Sequence, residues 1–190
     1  MNQNTSIVAG SLQALSVQNN RSLAETFVSC DAIILVDTSG SMNSKDSRGG
    51  QSRYDVACEE LAKLQQSMPG KIGVLSFSNT TVFCPGGQPM YLGDQTNLAG
   101  ALKFAKVADV PGIRFVVISD GYPDSADEAL SVARGYKNQI DTIYVGPESD
   151  NSGREFLAKL AGAHRGQSLI ASRANELAAV TQQMLLGAGR

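Results

Sequence analysis

From residue 31 onward, short and strongly apolar runs alternate with stretches in which apolar residues recur at helical spacing. That order predicts a mostly parallel sheet covered by helices on both faces. Ala32-Ile33-Ile34-Leu35-Val36 contains no polar position, so it reads as a central strand buried on both sides. Tyr54, Ala57, Leu61, Leu64 and Met68 then recur with the period of a helix, which Pro69-Gly70 stops. Ile72 to Phe77 is the second strand. Ser78-Asn79 is a short polar link to Thr80-Thr81-Val82-Phe83, which predicts a hairpin and an antiparallel edge strand.

Past a Gly- and Pro-rich loop from Pro85 to Gly93, Leu98, Ala101, Leu102 and Ala105 mark a second helix, with Asp94 or Thr96 placed to cap it. Ile113 to Ser119 is another doubly buried strand and runs into Asp120-Gly121. Ala126, Ala129, Leu130, Ala133 and Tyr136 give a third helix, Ile140 to Val145 a strand, and Phe156, Leu157, Leu160 and Ala161 a further helix. A weaker strand around Gln167 to Ile170 and a last helix around Leu177, Val180 and Met184 complete the alternation. The predicted architecture is a doubly wound, Rossmann-like α/β sandwich with a mostly parallel six-stranded sheet and one antiparallel edge strand. Residues 1–29 stand outside this pattern, and residues 30–190 form the domain. Leu12, Leu15, Leu23, Ala24, Phe27 and Val28 allow either a helix docked on the body or an N-terminal arm.

Composition narrows the function classes. The chain has 42% hydrophobic and 18% charged residues, which suits a folded domain. Its 16 Lys+Arg against 18 Asp+Glu leave a net charge of −2, which excludes a strongly basic nucleic-acid binder. No apolar run approaches the ~18 residues of a membrane span. No Lys or Arg precedes Arg21, and polar residues interrupt the mildly apolar start, so an export signal is not expected and the expected location is cytoplasmic. Cys30, Cys58 and Cys84 form no Cys-x-x-Cys pair and read as buried thiols.

The candidate chemistry lies at the strand ends. Asp37-Thr38-Ser39-Gly40-Ser41 follows the most apolar strand, where ligand sites of open α/β sheets form. An Asp-x-Ser-x-Ser loop can turn one carboxylate and two hydroxyls to a common point, a donor set suited to a hard cation. The plainer alternative is a turn whose side chains bond nearby backbone. Thr96 and Asp120 sit on further loops at the same edge. In this order and spacing, Asp37, Ser39, Ser41, Thr96 and Asp120 resemble the metal-ion-dependent adhesion site of the von Willebrand factor type A family, over roughly residues 31 to 186.

That resemblance implies a von Willebrand factor A-like sandwich and a site for Mg²⁺, or Mn²⁺ or Ca²⁺. It implies that Ser39, Ser41 and Thr96 offer hydroxyl oxygens while Asp37 and Asp120 bind directly or through water. It further implies a non-enzymatic protein-binding module, whose partner completes the coordination with a Glu or Asp. Intracellular relatives act as adaptors or assembly factors, some with AAA+ ATPases, so a protein partner is expected, with no nucleic acid and no membrane. Two alternatives stand beside it: a metal-assisted hydrolase, and a structural assembly subunit in which the ion only braces loops. No phosphate-binding glycine loop occurs, and His164, the lone histidine, lacks a nucleophile motif. In the loop after the motif, Lys45, Arg48 and Arg53 suggest either a solvated segment or a positive rim that draws in an acidic ligand.

Overall fold

The computed structural model describes residues 7–46, 50–147 and 149–170. Six strands form one sheet: β1 (Ala32–Asp37), β2 (Ile72–Phe77), β3 (Thr81–Phe83), β4 (Arg114–Ser119), β5 (Ile140–Tyr144) and β6 (Ser168–Ile170). Their order is β3-β2-β1-β4-β5-β6, with β3 antiparallel to β2 and every other pairing parallel. The expected sheet is therefore observed, antiparallel edge included. The hairpin is closed by Ser78 N–H donating to the Thr80 carbonyl at 2.9 Å.

Among the described residues six α-helices accompany the sheet: α1 (Leu12–Gln18), α2 (Leu23–Val28), α3 (Arg53–Ser67), α4 (Leu98–Ala105), α5 (Ala126–Arg134) and α6 (Asn151–Gly162). Alternate strand residues point to opposite faces, so the unbroken apolar run of β1 feeds two cores. Ile33 and Leu35 join Phe115, Val117, Leu102 and Leu157 on the α4–α5–α6 side. Ile34 and Val36 join Val74, Val116, Ala57 and Leu61 on the α3 side. Tyr136 lies just past the Gly135 cap of α5, yet its ring is buried edge-on against Phe115, with centroids 4.9 Å apart. The last helix expected around Leu177, Val180 and Met184 lies outside the described residues.

From Ile7 on, the N-terminal segment is packed on the body. Val8 and Gln13 N–H donate to the carbonyls of Gly86 and Pro85, and Gly70 N–H donates to Gly10. Gly10 has φ +82°, and a Cβ there would lie 2.1 Å from the Gln65 carbonyl oxygen, so glycine permits this close approach to α3. Leu12 is fully buried at this seam. α2 opens with a capping box, in which Ser22 accepts from Glu25 N–H and Glu25 accepts from Ser22 N–H.

The topology places the candidate site. β1 connects through α3 to β2 on one side and has β4 on the other, so the direction of winding switches between β1 and β4. At such a switch the loops leaving the two strands diverge and open a crevice beyond their carboxyl ends. Asp37 ends β1 and Asp120 follows β4, so both border it.

Candidate metal centre

Asp37 is completely buried. Its Oδ1 accepts the Ser39 N–H at 2.9 Å, which curls the chain back over the strand end. Its Oδ2 accepts the Ser119 hydroxyl at 2.6 Å, and that hydroxyl in turn accepts the Gly121 N–H at 3.0 Å. One carboxylate thus orders its own loop and the loop after β4. A 3-10 turn over Gly40–Asn43 follows, and the Ser39 and Ser41 hydroxyls lie side by side at 3.2 Å.

Thr96 arrives on a third loop that is tied to the other two. Gly40 N–H donates to the Asp94 carbonyl and Gly93 N–H to the Thr38 carbonyl, both at 2.9 Å. Gly93 and Asp94 have φ of +73° and +67°, a left-handed pair that turns the loop toward Thr38. Thr96 N–H donates to the Asp124 carboxylate at 2.9 Å, and Asp124 N–H donates back to the Thr96 carbonyl at 3.0 Å. The segments bearing Asp37, Thr96 and Asp120 are therefore laced together at one edge of the sheet.

Burial without a full charge partner pushes the Asp37 carboxyl up to about 6, only partly opposed by its bonds from Ser119 and Ser39. Asp120, 2% exposed, is held differently. Its Oδ2 accepts from Arg53 Nη1 at 3.0 Å. Its Oδ1 is buried and has no hydrogen-bond partner among the described residues. An ionised oxygen left in that state is costly, and a cation or a water on a cation would satisfy it.

The donors suit a hard ion: two carboxylates and three hydroxyls, without sulfur or imidazole. Among the described residues no three His, Cys, Asp or Glu side chains converge. A dication here would accordingly lean on neutral hydroxyls and retained water, as Mg²⁺ readily does.

Several expectations need correction. Neither Asp94 nor Thr96 caps α4. Asn97 does, its side chain accepting the Gly100 N–H at 2.8 Å, because Asp94 is taken up by the left-handed turn and Thr96 is bound to Asp124. Arg53 is no rim residue: it is 9% exposed and its guanidinium is paired with Asp46 and Asp120. Lys45 is exposed, and Arg48 lies outside the described residues. Cys30 and Cys84 are buried but Cys58 is half-buried, and all three thiols are free. His164 sits past α6, with its ring bonded to the Lys137 carbonyl at the opposite edge of the sheet. Sequence reasoning missed Ser119, Asp124 and the inward role of Arg53. A Ser closing the apolar run Phe115–Ile118 was the one local signal, since a buried hydroxyl needs a partner.

No family model and no curated protein matches the chain. Solved structures do share its architecture. An aerotolerance-related membrane protein from Bacteroides fragilis superposes with a TM-score of 0.66 at 18% identity, covering 82% of this chain and 98% of its own. A von Willebrand factor type A protein from Catenulispora acidiphila gives 0.61 at 16% identity, over 81% of this chain and 41% of that one. The manganese-loaded TRAP protein of Plasmodium vivax gives 0.57 at 17% identity, over 82% of this chain and 74% of that one. With its mixed six-stranded sheet, its helices on both faces and these neighbours, the chain has the von Willebrand factor type A fold.

Proposed function

We propose that the chain is a metal-dependent protein-binding module in which Mg²⁺ or Mn²⁺, held by Asp37, Ser39, Ser41, Thr96 and Asp120, bridges to a Glu or Asp of a partner protein. The observation that carries this reading is the buried Oδ1 of Asp120, without a hydrogen-bond partner among the described residues, at the edge where Asp37 and the paired hydroxyls of Ser39 and Ser41 also lie. Neutral hydroxyls donate little charge, so an ion in such a site stays electrophilic toward an outside carboxylate. A manganese-loaded protein among the structural neighbours is in keeping with this donor set.

We favour binding over hydrolysis because the bonds around the site use its groups to hold loops in place. The Ser119 hydroxyl donates to Asp37 and accepts from Gly121 N–H, and the imidazole lies at the far edge. Three free thiols suit a reducing compartment, which supports an intracellular adaptor or assembly role, an AAA+ ATPase being one partner of suitable kind. Among the described residues no helix is long and apolar enough to cross a membrane.

The test is capture of partners from host lysate on the immobilised chain in Mg²⁺, in EDTA, and with Asp37→Ala. Direct Mn²⁺ titration of the wild type, Ser39→Ala and Asp120→Ala accompanies it. The expected result is a partner retained only by the wild type with Mg²⁺, and Mn²⁺ binding lost in both variants with the fold intact. Equal retention in all three conditions together with an absence of Mn²⁺ binding would refute the proposal.

A further inference from the structure

Arg53 is the first residue of α3, and its buried guanidinium lies between two carboxylates. Nη1 donates to Asp120 Oδ2 at 3.0 Å. Nε donates to Asp46 Oδ1 at 2.8 Å, and Nη2 pairs with the second oxygen of Asp46. The two partners differ in setting: the Asp120 side chain is 2% exposed and that of Asp46 42%. Arg53 therefore occupies one oxygen of Asp120 while the other, Oδ1, has no partner among the described residues.

Resting on the metal-centre reading above, we propose that Arg53 is a built-in counter-charge of that centre. It fixes the Asp120 carboxylate with Oδ1 free, and it offsets part of the negative charge available to a cation. Asp37 and Asp120 supply −2 between them, the hydroxyls supply none, and the guanidinium adds +1, part of which Asp46 takes back at its half-exposed outer edge, so the charge a cation meets lies between −2 and −1. Attraction for a dication scales with that charge and is little screened in a buried site. The ion is consequently held loosely until a further carboxylate, such as one from a partner, joins it. Asp46 grips the outer edge of the same guanidinium, so it draws part of Arg53's positive field away from Asp120. A lysine at this position would keep the charge but not the planar fork that holds two carboxylates at once.

The experiment is a Mn²⁺ titration of the full chain, followed by the EPR signal of the free ion, for the wild type, Arg53→Gln, Arg53→Lys and Asp46→Asn. Circular dichroism checks that each is folded. Arg53→Gln should bind Mn²⁺ at least about tenfold tighter, and Arg53→Lys should stay within about threefold of the wild type. Asp46→Asn, at a half-exposed position, should bind several-fold more weakly. A folded Arg53→Gln that binds no tighter than the wild type, or an Arg53→Lys that matches Arg53→Gln, overturns the inference. Should Arg53→Gln fail to fold, an unchanged affinity in Asp46→Asn overturns it instead. Absence of Mn²⁺ binding by the wild type refutes the metal reading itself, and this inference with it.

Discussion

Replacing Asp37 with Asn should stabilise the metal-free protein at neutral pH, even though it removes a residue central to the site. Burial raises the Asp37 carboxyl from its ordinary 3.8 to about 6. Between those two values the folded state holds a proton that the unfolded state has released. Stability contributed by this group is therefore complete below about 3.8 and is lost as pH rises to about 6. At ~1.4 kcal/mol per pH unit, the loss is about 3 kcal/mol. Asn keeps the acceptor for the Ser39 N–H but replaces the oxygen that takes the Ser119 hydroxyl, which costs about 1 kcal/mol. Asp37→Asn in EDTA should then exceed the wild type by about 2 kcal/mol at pH 7.5 and fall below it near pH 4. Urea unfolding at a series of pH values measures the difference between the two proteins, in which the pH responses of groups such as Asp46 and Asp150 cancel. Saturating Mg²⁺ should reverse the order at neutral pH, because an ion at about a hundredfold its Kd adds roughly 2.7 kcal/mol to the wild type alone. A wild-type advantage in EDTA that is constant across the pH series would refute the reasoning.

Three further outcomes follow from the same geometry. Gly121 has φ +86°, and a Cβ there would lie 2.2 Å from the Gly153 carbonyl oxygen, so Gly121→Ala should cost about 3 kcal/mol or more by thermal melting. Asn97→Ala should lower stability by about 1 kcal/mol through the lost α4 cap and leave Mn²⁺ affinity unchanged, whereas Thr96→Ala should do the reverse in the same two assays. Leu35→Ala, fully buried in the central strand, should cost about 2–5 kcal/mol in urea unfolding without changing the far-UV spectrum of the folded state.

Much of this architecture is legible in the chain because its signals are local. A strand buried on both faces, such as β1, has to be apolar at every position, and a helix such as α3 repeats its buried residues every three to four. The hairpin link at Ser78-Asn79 and the stop at Pro69-Gly70 act over a few bonds. Asp37, Ser39 and Ser41 stand out for the same reason, as three oxygen donors within five residues at the end of an apolar strand. Thr96 and Asp120 became legible through resemblance in their order and spacing.

What only the tertiary structure decided are the pairings between distant segments. Ser119 reaches Asp37 across 82 residues of sequence, and Arg53 reaches Asp120 across 67. Nothing in the neighbourhood of either residue announces its partner, because the sheet order β3-β2-β1-β4 brings them together. Arg53 read alone is a charge in a polar loop, but the fold buries it between two carboxylates because a guanidinium can leave water only where its charge is met. The α4 cap is likewise a matter of placement: Asp124, 28 residues away, holds the Thr96 backbone through its N–H and carbonyl, and the helix begins one residue later, with Asn97 as its cap. Local chemistry specified the elements and the loop that can face a cation. Long-range packing alone settled which charges meet there, since burial makes an unmet charge far more costly than any local preference.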